Sequence, residues 1–333
     1  MEIVVSGSTE AWQREVPIEL GGRLLDAVVK VLAGVTWGEA RRFVETGKVQ
    51  LDGQVVTDGK RRVRPQAQLT FDPRARRPRP ATDLDPSRIV FADTQVIVVD
   101  KPSGMNTIPY EEHETGTLED RVRAWLQTQV QRRGPESHTG TSLRRRLAPG
   151  PVSLGVVHRI DAETSGLLVF TRTWLAKQAL SAQFRAHTVQ RRYLALAHGT
   201  VRARRIESHI MEDRGDGLRG SWEARPRKGK PLGQRAITHV EPIEVLPGGA
   251  TLIECRLETG RTHQIRIHLS EAGHPLLGER VYIRNYRAPL IPAPRLMLHA
   301  RLLGFVHPAT ESEVLFEREP PPDFAETLAR LRA

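Results

Sequence analysis

Residues His158-Arg159-Ile160-Asp161-Ala162-Glu163-Thr164-Ser165-Gly166 place a carboxylate, Asp161, two residues after an arginine and inside a turn of small residues, and the apolar run Leu167 to Phe170 follows without a break. A short apolar run bounded by a turn reads as a buried strand. The chain must therefore build a core around this strand while holding Asp161 at its entrance. An acid beside Arg159 in a Gly-flanked turn can be kept ionised and presented to a substrate with no bulky neighbour in the way. An isolated Arg-x-Asp is an ordinary salt-bridged surface loop, so the weight of this reading rests on the length of the spelling.

With 333 residues and 39% hydrophobic content, the chain can bury one sizeable core and carry a second small domain. Lys plus Arg outnumber Asp plus Glu by 50 to 39, a formal charge of +11, which points to a polyanionic partner. Seven of the basic residues are lysine, leaving 43 arginines, and guanidinium suits bidentate phosphate contacts and stacking on bases. An Arg-biased genome would account for the Arg preference equally well, though not for the net charge. A single cysteine, Cys255, rules out an internal disulfide and reads as a core thiol in a reducing compartment. The first ten residues show no basic-then-apolar leader, and no apolar run approaches membrane-spanning length, so the expectation is a soluble, cytoplasmic protein.

Pro73, Pro78 and Pro80 alternate with Arg74, Arg76, Arg77 and Arg79 in a stretch without apolar periodicity, which marks a basic linker. The organisation expected is residues 1–72, a linker over 73–84, and a larger domain over 85–333. In the first unit, 23–32 and 36–46 carry apolar residues at helical spacing, and Gly47 stands where a helix ends. Val49-x-Leu51 and Val55-Val56 flank Asp52-Gly53, a strong hairpin signal. Beyond the linker, strands are predicted at Val96 to Val99, Leu167 to Phe170 and Thr251 to Leu257. Thr117 with Asp120 opens one helix, bearing Leu118, Val122, Leu126 and Val130, and Thr173 opens another with Leu180 and Phe184. Arg132 to Pro151, with Arg144-Arg145-Arg146, reads as a mobile basic loop near the path of the polyanion or as a tolerated insertion. Thr262 is expected as a helix N-cap and Gly273 as its C-cap, which sets Arg266 in the first turns of that helix.

The 158–166 spelling resembles the central signature of the RluA family of pseudouridine synthases, and four further stretches in the family's order extend the resemblance over roughly 85–320. These are Val98-Val99-Asp100-Lys101-Pro102-Ser103-Gly104; Arg192-Tyr193-Leu194-Ala195-Leu196; the run from Leu257 through Arg261-Thr262-His263-Gln264-Ile265-Arg266 to His268-Leu269; and Arg295-x-x-Leu298-His299-Ala300 with Phe305-x-His307-Pro308. Ile160 and Glu279 are conservative departures from the family's commoner Leu and Asp. The N-terminal helices and hairpin, with Arg41, Arg42 and Lys48 among their basic residues, resemble the S-four-like RNA-binding module, although Thr36-Trp37 stands where that module often has Ser-Arg. The resemblance implies an α+β protein: a mixed, mainly antiparallel sheet in the catalytic domain, and a small N-terminal α+β RNA-binding domain.

Isomerising a uridine requires that the glycosidic bond break, that the uracil turn without escaping, and that carbon five bond to the sugar. This calls for a nucleophile or base and a closed pocket, with no metal, nucleotide cofactor or redox step. Asp161 is the acid the central motif offers. Attack on the sugar, attack on the uracil and base action toward the sugar all remain open. Burial alone would quench a carboxylate, so it needs an arginine partner, and by resemblance that partner is Arg266. By the same resemblance Tyr193 stacks on the extruded uracil and Arg159 fills the space it leaves, as base flipping requires. His158 is read as a structural hydrogen-bonding group. Lys101 lacks the spacing of a phosphate loop and either shapes a turn or contacts the RNA backbone. Arg261 and Arg192 complete the expected RNA contacts. His263 and His268, five apart, do not form a metal face.

A catalytically silent RNA-binding protein would be free to lose Asp161, Tyr193 or Arg266, and all three are present. The partner expected is RNA, with ribosomal RNA of the large subunit favoured over transfer RNA because the S-four-like module commonly accompanies ribosomal enzymes in this family. A monomer is expected.

Overall fold

The computed structural model describes residues 10–75, 84–110, 114–132, 153–224, 231–284 and 286–333. Most of the predicted linker and nearly all of the predicted basic loop, Arg144 to Arg146 included, lie outside the described residues. The chain divides into two compact units, 1–80 and 81–333.

In the first unit, β1 (Trp12–Glu15) is followed by α1 (Leu25–Ala33), α2 (Trp37–Glu45), β2 (Val49–Leu51), β3 (Gln54–Val55) and β4 (Gln68–Phe71). The strands form an antiparallel sheet in the order β1-β4-β2-β3. Helix α1 buries Leu25, Val28, Val29 and Ala33 and stops at Gly34, whose φ of 64° is left-handed. Thr36 and Glu39 close a reciprocal capping box on α2. The hairpin turn falls at Asp52-Gly53, with φ of 50° and 78°, as a tight two-residue turn demands. Phe71, Leu69, Val44 and Val49 meet in the core of this unit.

The second unit contains β5 (Ile89–Ala92), β6 (Val96–Lys101), α3 (Leu118–Arg132), β7 (Gly155–Val156), β8 (Ser165–Thr171), α4 (Trp174–Arg185), β9 (Gln190–His198), β10 (Arg204–Met211), β11 (Gly220–Ser221), β12 (Gln234–Leu246), β13 (Ala250–Leu257), α5 (Gln264–Glu271), β14 (Leu298–Val306), β15 (Glu313–Glu317) and α6 (Pro322–Arg332). Its eleven-stranded sheet runs β11-β10-β12-β13-β9-β14-β8-β6-β5, with β7 beside β8 and β15 beside β14. The pairings are antiparallel except β14 with β8. The predicted caps form: Thr117 and Asp120 exchange hydrogen bonds at α3, and the Thr173 hydroxyl accepts the Ala176 N–H at α4.

All seven residues of β8 are buried because both sheet faces are covered. Leu168 and Phe170 join one apolar cluster with Ile97, Val99, Leu118, Val122 and Leu126, while Leu167 and Val169 join another with Val96, Val98 and Leu180. Cys255 sits in the first of these clusters, fully buried, as the sequence predicts.

Where β8 begins, His299 and Ala300 of β14 pair with Ser165 and Gly166. Gly166 has φ of +110°, and a Cβ there would lie 2.3 Å from the Ala300 carbonyl oxygen. No side chain fits that conformation or that space. Gly166→Ala is expected to lower stability by about 3 kcal/mol or more, from backbone strain and overpacking together, measured as a fall in thermal midpoint.

Candidate active site

The peptide groups around Asp161 are held from below by the segment that follows β6. Lys101 is fully buried, and its Nζ donates to the carbonyls of Ala162 (2.8 Å), Met105 (2.8 Å) and Pro102 (3.0 Å). The Ser103 hydroxyl donates to Glu163 O at 2.6 Å, the Gly104 N–H to Ala162 O at 2.8 Å, and the Thr107 hydroxyl to Ile160 O at 2.9 Å. The turn then closes on itself, the Thr164 N–H donating to Asp161 O at 3.1 Å. Four donors between residues 101 and 107 thus fix the backbone of the central motif. Of the two roles read for Lys101 in the sequence, turn-shaping is the one observed. An RNA contact is corrected, because its ammonium is shut away from solvent and donates only to backbone. Burial drives its pKa down to about 7, partly opposed by the Asp161 carboxylate.

Helix α5 delivers the arginine. Arg266 Nη1 lies 3.8 Å from Asp161 Oδ2, so the predicted pair forms. Its principal bond is elsewhere: Nε and Nη2 grip the two oxygens of Glu279, both at 2.8 Å, and Glu163 approaches at 4.0 Å. Burial weakens the Arg266 charge, but the Glu279 bond and the surrounding carboxylates outweigh it and raise its pKa. Burial likewise pushes Glu279 up, yet Arg266 and the N–H groups of Val281 and Tyr282 hold it below its ordinary value of 4.5. The sequence treats Glu279 as a departure of no consequence; here it is the bidentate anchor of the arginine that faces Asp161. Its longer side chain still closes the fork.

The predicted N-cap at Thr262 does not form. His263 occupies that position with a left-handed φ of 59° and no capping bond, because the Gln264 side chain folds back to accept from the Arg261 N–H and the Thr259 hydroxyl. Thr262 is left to accept from Arg159 Nη2 at 3.3 Å. At the other end Ala272 is the cap residue and Gly273, φ 86°, follows it. The two histidines of this motif diverge: His263 Nδ1 meets the Tyr282 hydroxyl at 2.7 Å, and His268 bonds Ser208 and Thr238 at 2.9 Å.

These elements surround a cavity of about 540 Å³ lined by Asp161, Arg159, Tyr193, Arg261, His263 and Arg266, among others, a volume suited to a small ligand or an extruded nucleotide. Asp161 keeps 21% of its side chain exposed at this cavity. Tyr193 is buried on β9, and burial, with Asp161 adding to it against Arg191, raises its phenol pKa. His158 accepts the Val169 N–H at 3.0 Å and stacks on Phe184, and burial, then Arg191, lowers its pKa to about 3, so it is a neutral structural group as read. Arg261 donates to the Arg235 carbonyl at 3.1 Å and keeps its place on the cavity wall.

Arg192 stands apart from the cavity. It lies on the opposite face of β9 from Tyr193 and pairs with Glu254 at 3.3 Å, outside the cavity, whereas Arg191 lines it. The period-two alternation of a strand carries this signal: a residue sharing the face of Tyr193 is 191, never 192. In the first unit Arg41 and Arg42 are exposed, Arg42 with its guanidinium 5.7 Å from the Phe43 ring centroid, while Lys48 donates to the Ala75 carbonyl. Among the described residues no helix is long and apolar enough to cross a membrane.

The RNA pseudouridylate synthase family model matches residues 95–271, more than half of the chain. The chain belongs to this family. As an RNA pseudouridylate synthase family member it is an isomerase, and the S4 domain model matches its residues 22–69. It is 35% identical over 314 residues to the ribosomal large subunit pseudouridine synthase D of Zymomonas mobilis, covering 91% of this chain and 92% of that one. It is 36% identical over 304 residues to the uncharacterized RNA pseudouridine synthase YlyB of Bacillus subtilis, covering 88% and 89%. The fold is similar to that of human RNA pseudouridylate synthase domain containing 4, with a TM-score of 0.54 at 23% identity over 74% of this chain and 93% of that one.

Two expected outcomes follow for the synthase. Glu279→Gln, which leaves Arg266 without its bidentate partner, should destabilise the fold by about 3–5 kcal/mol in chemical denaturation near neutral pH. Because the Glu279 pKa is lowered in the fold, its contribution is complete above about pH 4.5 and is lost as pH falls through the folded value, so the variant should show a flatter acid limb than the wild type. Lys101 acts in the other direction of pH. Between about 7 and 10.5 the unfolded chain holds the proton that the folded chain has released, so stability gains from this group as pH rises through that window. Lys101→Met should remove that alkaline gain; an unchanged slope would disprove the assignment.

Proposed function

We propose that this protein isomerises specific uridines to pseudouridine in large-subunit ribosomal RNA. The observation that carries the reading is the convergence of Asp161, Arg266 and Tyr193, from three separate motifs, on one cavity. Asp161 is the catalytic carboxylate, Arg266 supplies its counter-charge, and Tyr193 abuts the uracil. Arg159 and Arg261 at the cavity wall meet the RNA around the extruded nucleotide, where guanidinium can take up phosphate or stack on a neighbouring base. The ribosomal choice is supported by the names of similar proteins, the ribosomal large subunit pseudouridine synthases D of Zymomonas mobilis, Neisseria meningitidis and Pseudomonas aeruginosa. It is supported also by the S4 match, with Arg41 and Arg42 exposed on α2, since structured RNA calls for phosphate contacts beyond the modified nucleotide.

In this reading residues 1–72 form the RNA-binding domain, 73–84 the linker and 85–333 the catalytic domain. The enzyme works in the cytoplasm as a monomer without nucleotide cofactor or metal. The carboxylate takes the sugar carbon as the base leaves, removes a sugar proton, or adds to the uracil ring, and the base then returns through carbon five.

The test is pseudouridine mapping of ribosomal and transfer RNA from cells carrying the intact gene or an Asp161→Asn copy. Loss of one or more large-subunit sites, with RNA binding by the purified variant unchanged, is the expected result. Loss of transfer-RNA sites instead would move the substrate, and persistence of every site would remove Asp161 as the catalytic group.

A further inference from the structure

Arg191 enters the cavity from the same face of β9 as Tyr193, two residues on. It is 7% exposed. Its Nη2 donates to the Glu258 carbonyl at 2.8 Å, and its guanidinium carbon lies 5.6 Å from the Phe184 ring centroid. A Cβ at Gly260 would come within 2.5 Å of Nη1, so the glycine makes room for it. Nε is buried without a partner, and among the described residues no carboxylate pairs with this guanidinium. Other deeply placed arginines are neutralised: Arg266 by Glu279 and Arg214 by Asp216. A buried cation without a counter-charge is strongly unfavourable and persists where its charge is used.

The surroundings define that use. Burial lowers the Arg191 pKa, and the groups that act on it by charge are Tyr193 and Arg261, neither of them an anion at neutral pH. Tyr193, by contrast, feels both Arg191 and Asp161. All three residues line the same cavity. A uracil held in this cavity with its sugar carbon at Asp161 would meet Tyr193 and Arg191 together on the wall that β9 supplies.

We propose that Arg191 binds the carbonyl edge of the flipped uracil and stabilises the negative charge that the base acquires as the glycosidic bond breaks. This rests on the pseudouridine synthase reading of the cavity and deepens it. When the C1′–N1 bond breaks, its electron pair stays on the uracil, spread over N1 and the two carbonyl oxygens. The Asp161 carboxylate takes up C1′, or its C2′ proton, and releases it when C5 bonds to C1′. The C5 proton then leaves and N1 gains one, so the product is an isomer and no oxidant or reductant is consumed. Neutral uracil draws little on a guanidinium and anionic uracil draws strongly, so the contact favours the transition state over the bound substrate. Arg191 is in that sense a catalytic residue, where Arg266 acts through Asp161.

The experiment uses the full chain and a transcript spanning a uridine found by the mapping above, with Arg191→Gln and Arg191→Lys. Arg191→Gln should lower kcat by about 10²–10³-fold, the usual effect of removing one charge-stabilising donor, with the Kd for RNA within about threefold. Arg191→Lys should recover at least about tenfold of that loss. On the same transcript made with 5-fluorouridine, whose uracil is a more stable anion, the Arg191→Gln defect should shrink about tenfold, measured as consumption of the modified nucleoside. A weakened Kd with kcat intact would make Arg191 a phosphate anchor and overturn the proposal. Equal defects on both transcripts, with Lys no better than Gln, would reduce it to a structural part and overturn it too. Wild-type turnover in the same assay separates the layers: an inactive wild type defeats the proposed function and this proposal together, whereas an active wild type matched by Arg191→Gln defeats this proposal alone.

Discussion

A single buried ammonium organises the centre of this protein. Lys101 spends its three protons on carbonyls that belong to two chain segments about sixty residues apart, and in doing so it welds the end of β6 to the turn that displays Asp161. Side chains added later in the sequence, Ser103 and Thr107, repeat the same bargain with neighbouring carbonyls. The peptide groups of a turn have no sheet or helix to satisfy them, so such donors decide whether a turn is rigid. The Asp161 carboxylate inherits its position from them, and β8 leaves the turn already committed to the core.

Charge is arranged around this frame in two tiers. Arg266 is shared among Glu279, Asp161 and Glu163, and the bidentate grip of Glu279 keeps it from collapsing fully onto Asp161, at 3.8 Å a loose contact. The Asp161 oxygens are therefore left largely to the cavity. Arg191, on the same cavity, has no carboxylate partner among the described residues, and under the proposal above it serves the base while Arg266 serves Asp161.

Much of this was legible in the sequence, for reasons tied to local physics. Apolar runs at 96–99 and 167–170 and alternation at 251–257 mark strands that the fold extends by a few residues, Thr caps mark the helices at 118 and 174, and Asp-Gly marks the 49–55 hairpin. Asp161 stood out because its turn is spelled almost entirely with residues that serve a site. What escaped were features set by long-range packing. Whether Lys101 faces RNA or carbonyls depends on where residues 160–163 pass, which no local pattern states. The start of α5 was misplaced by one residue because Gln264, rather than Thr262, supplies the local acceptor, and Glu279 was undervalued because its partner lies on another element. Arg191 carries no motif of its own, and only the alternation of β9 puts it on the face of Tyr193.

Cys255 carries a practical consequence. It is the one thiol in the chain, it is completely enclosed by the sheet core, and burial raises its pKa far beyond the range in which a thiolate would form. The native protein is thus silent toward thiol reagents as long as it stays folded. A single cysteine introduced at the cavity rim or in the N-terminal unit would be the sole labelling position, so fluorophores could report on RNA engagement with no background and without first stripping the natural sulfur from the core.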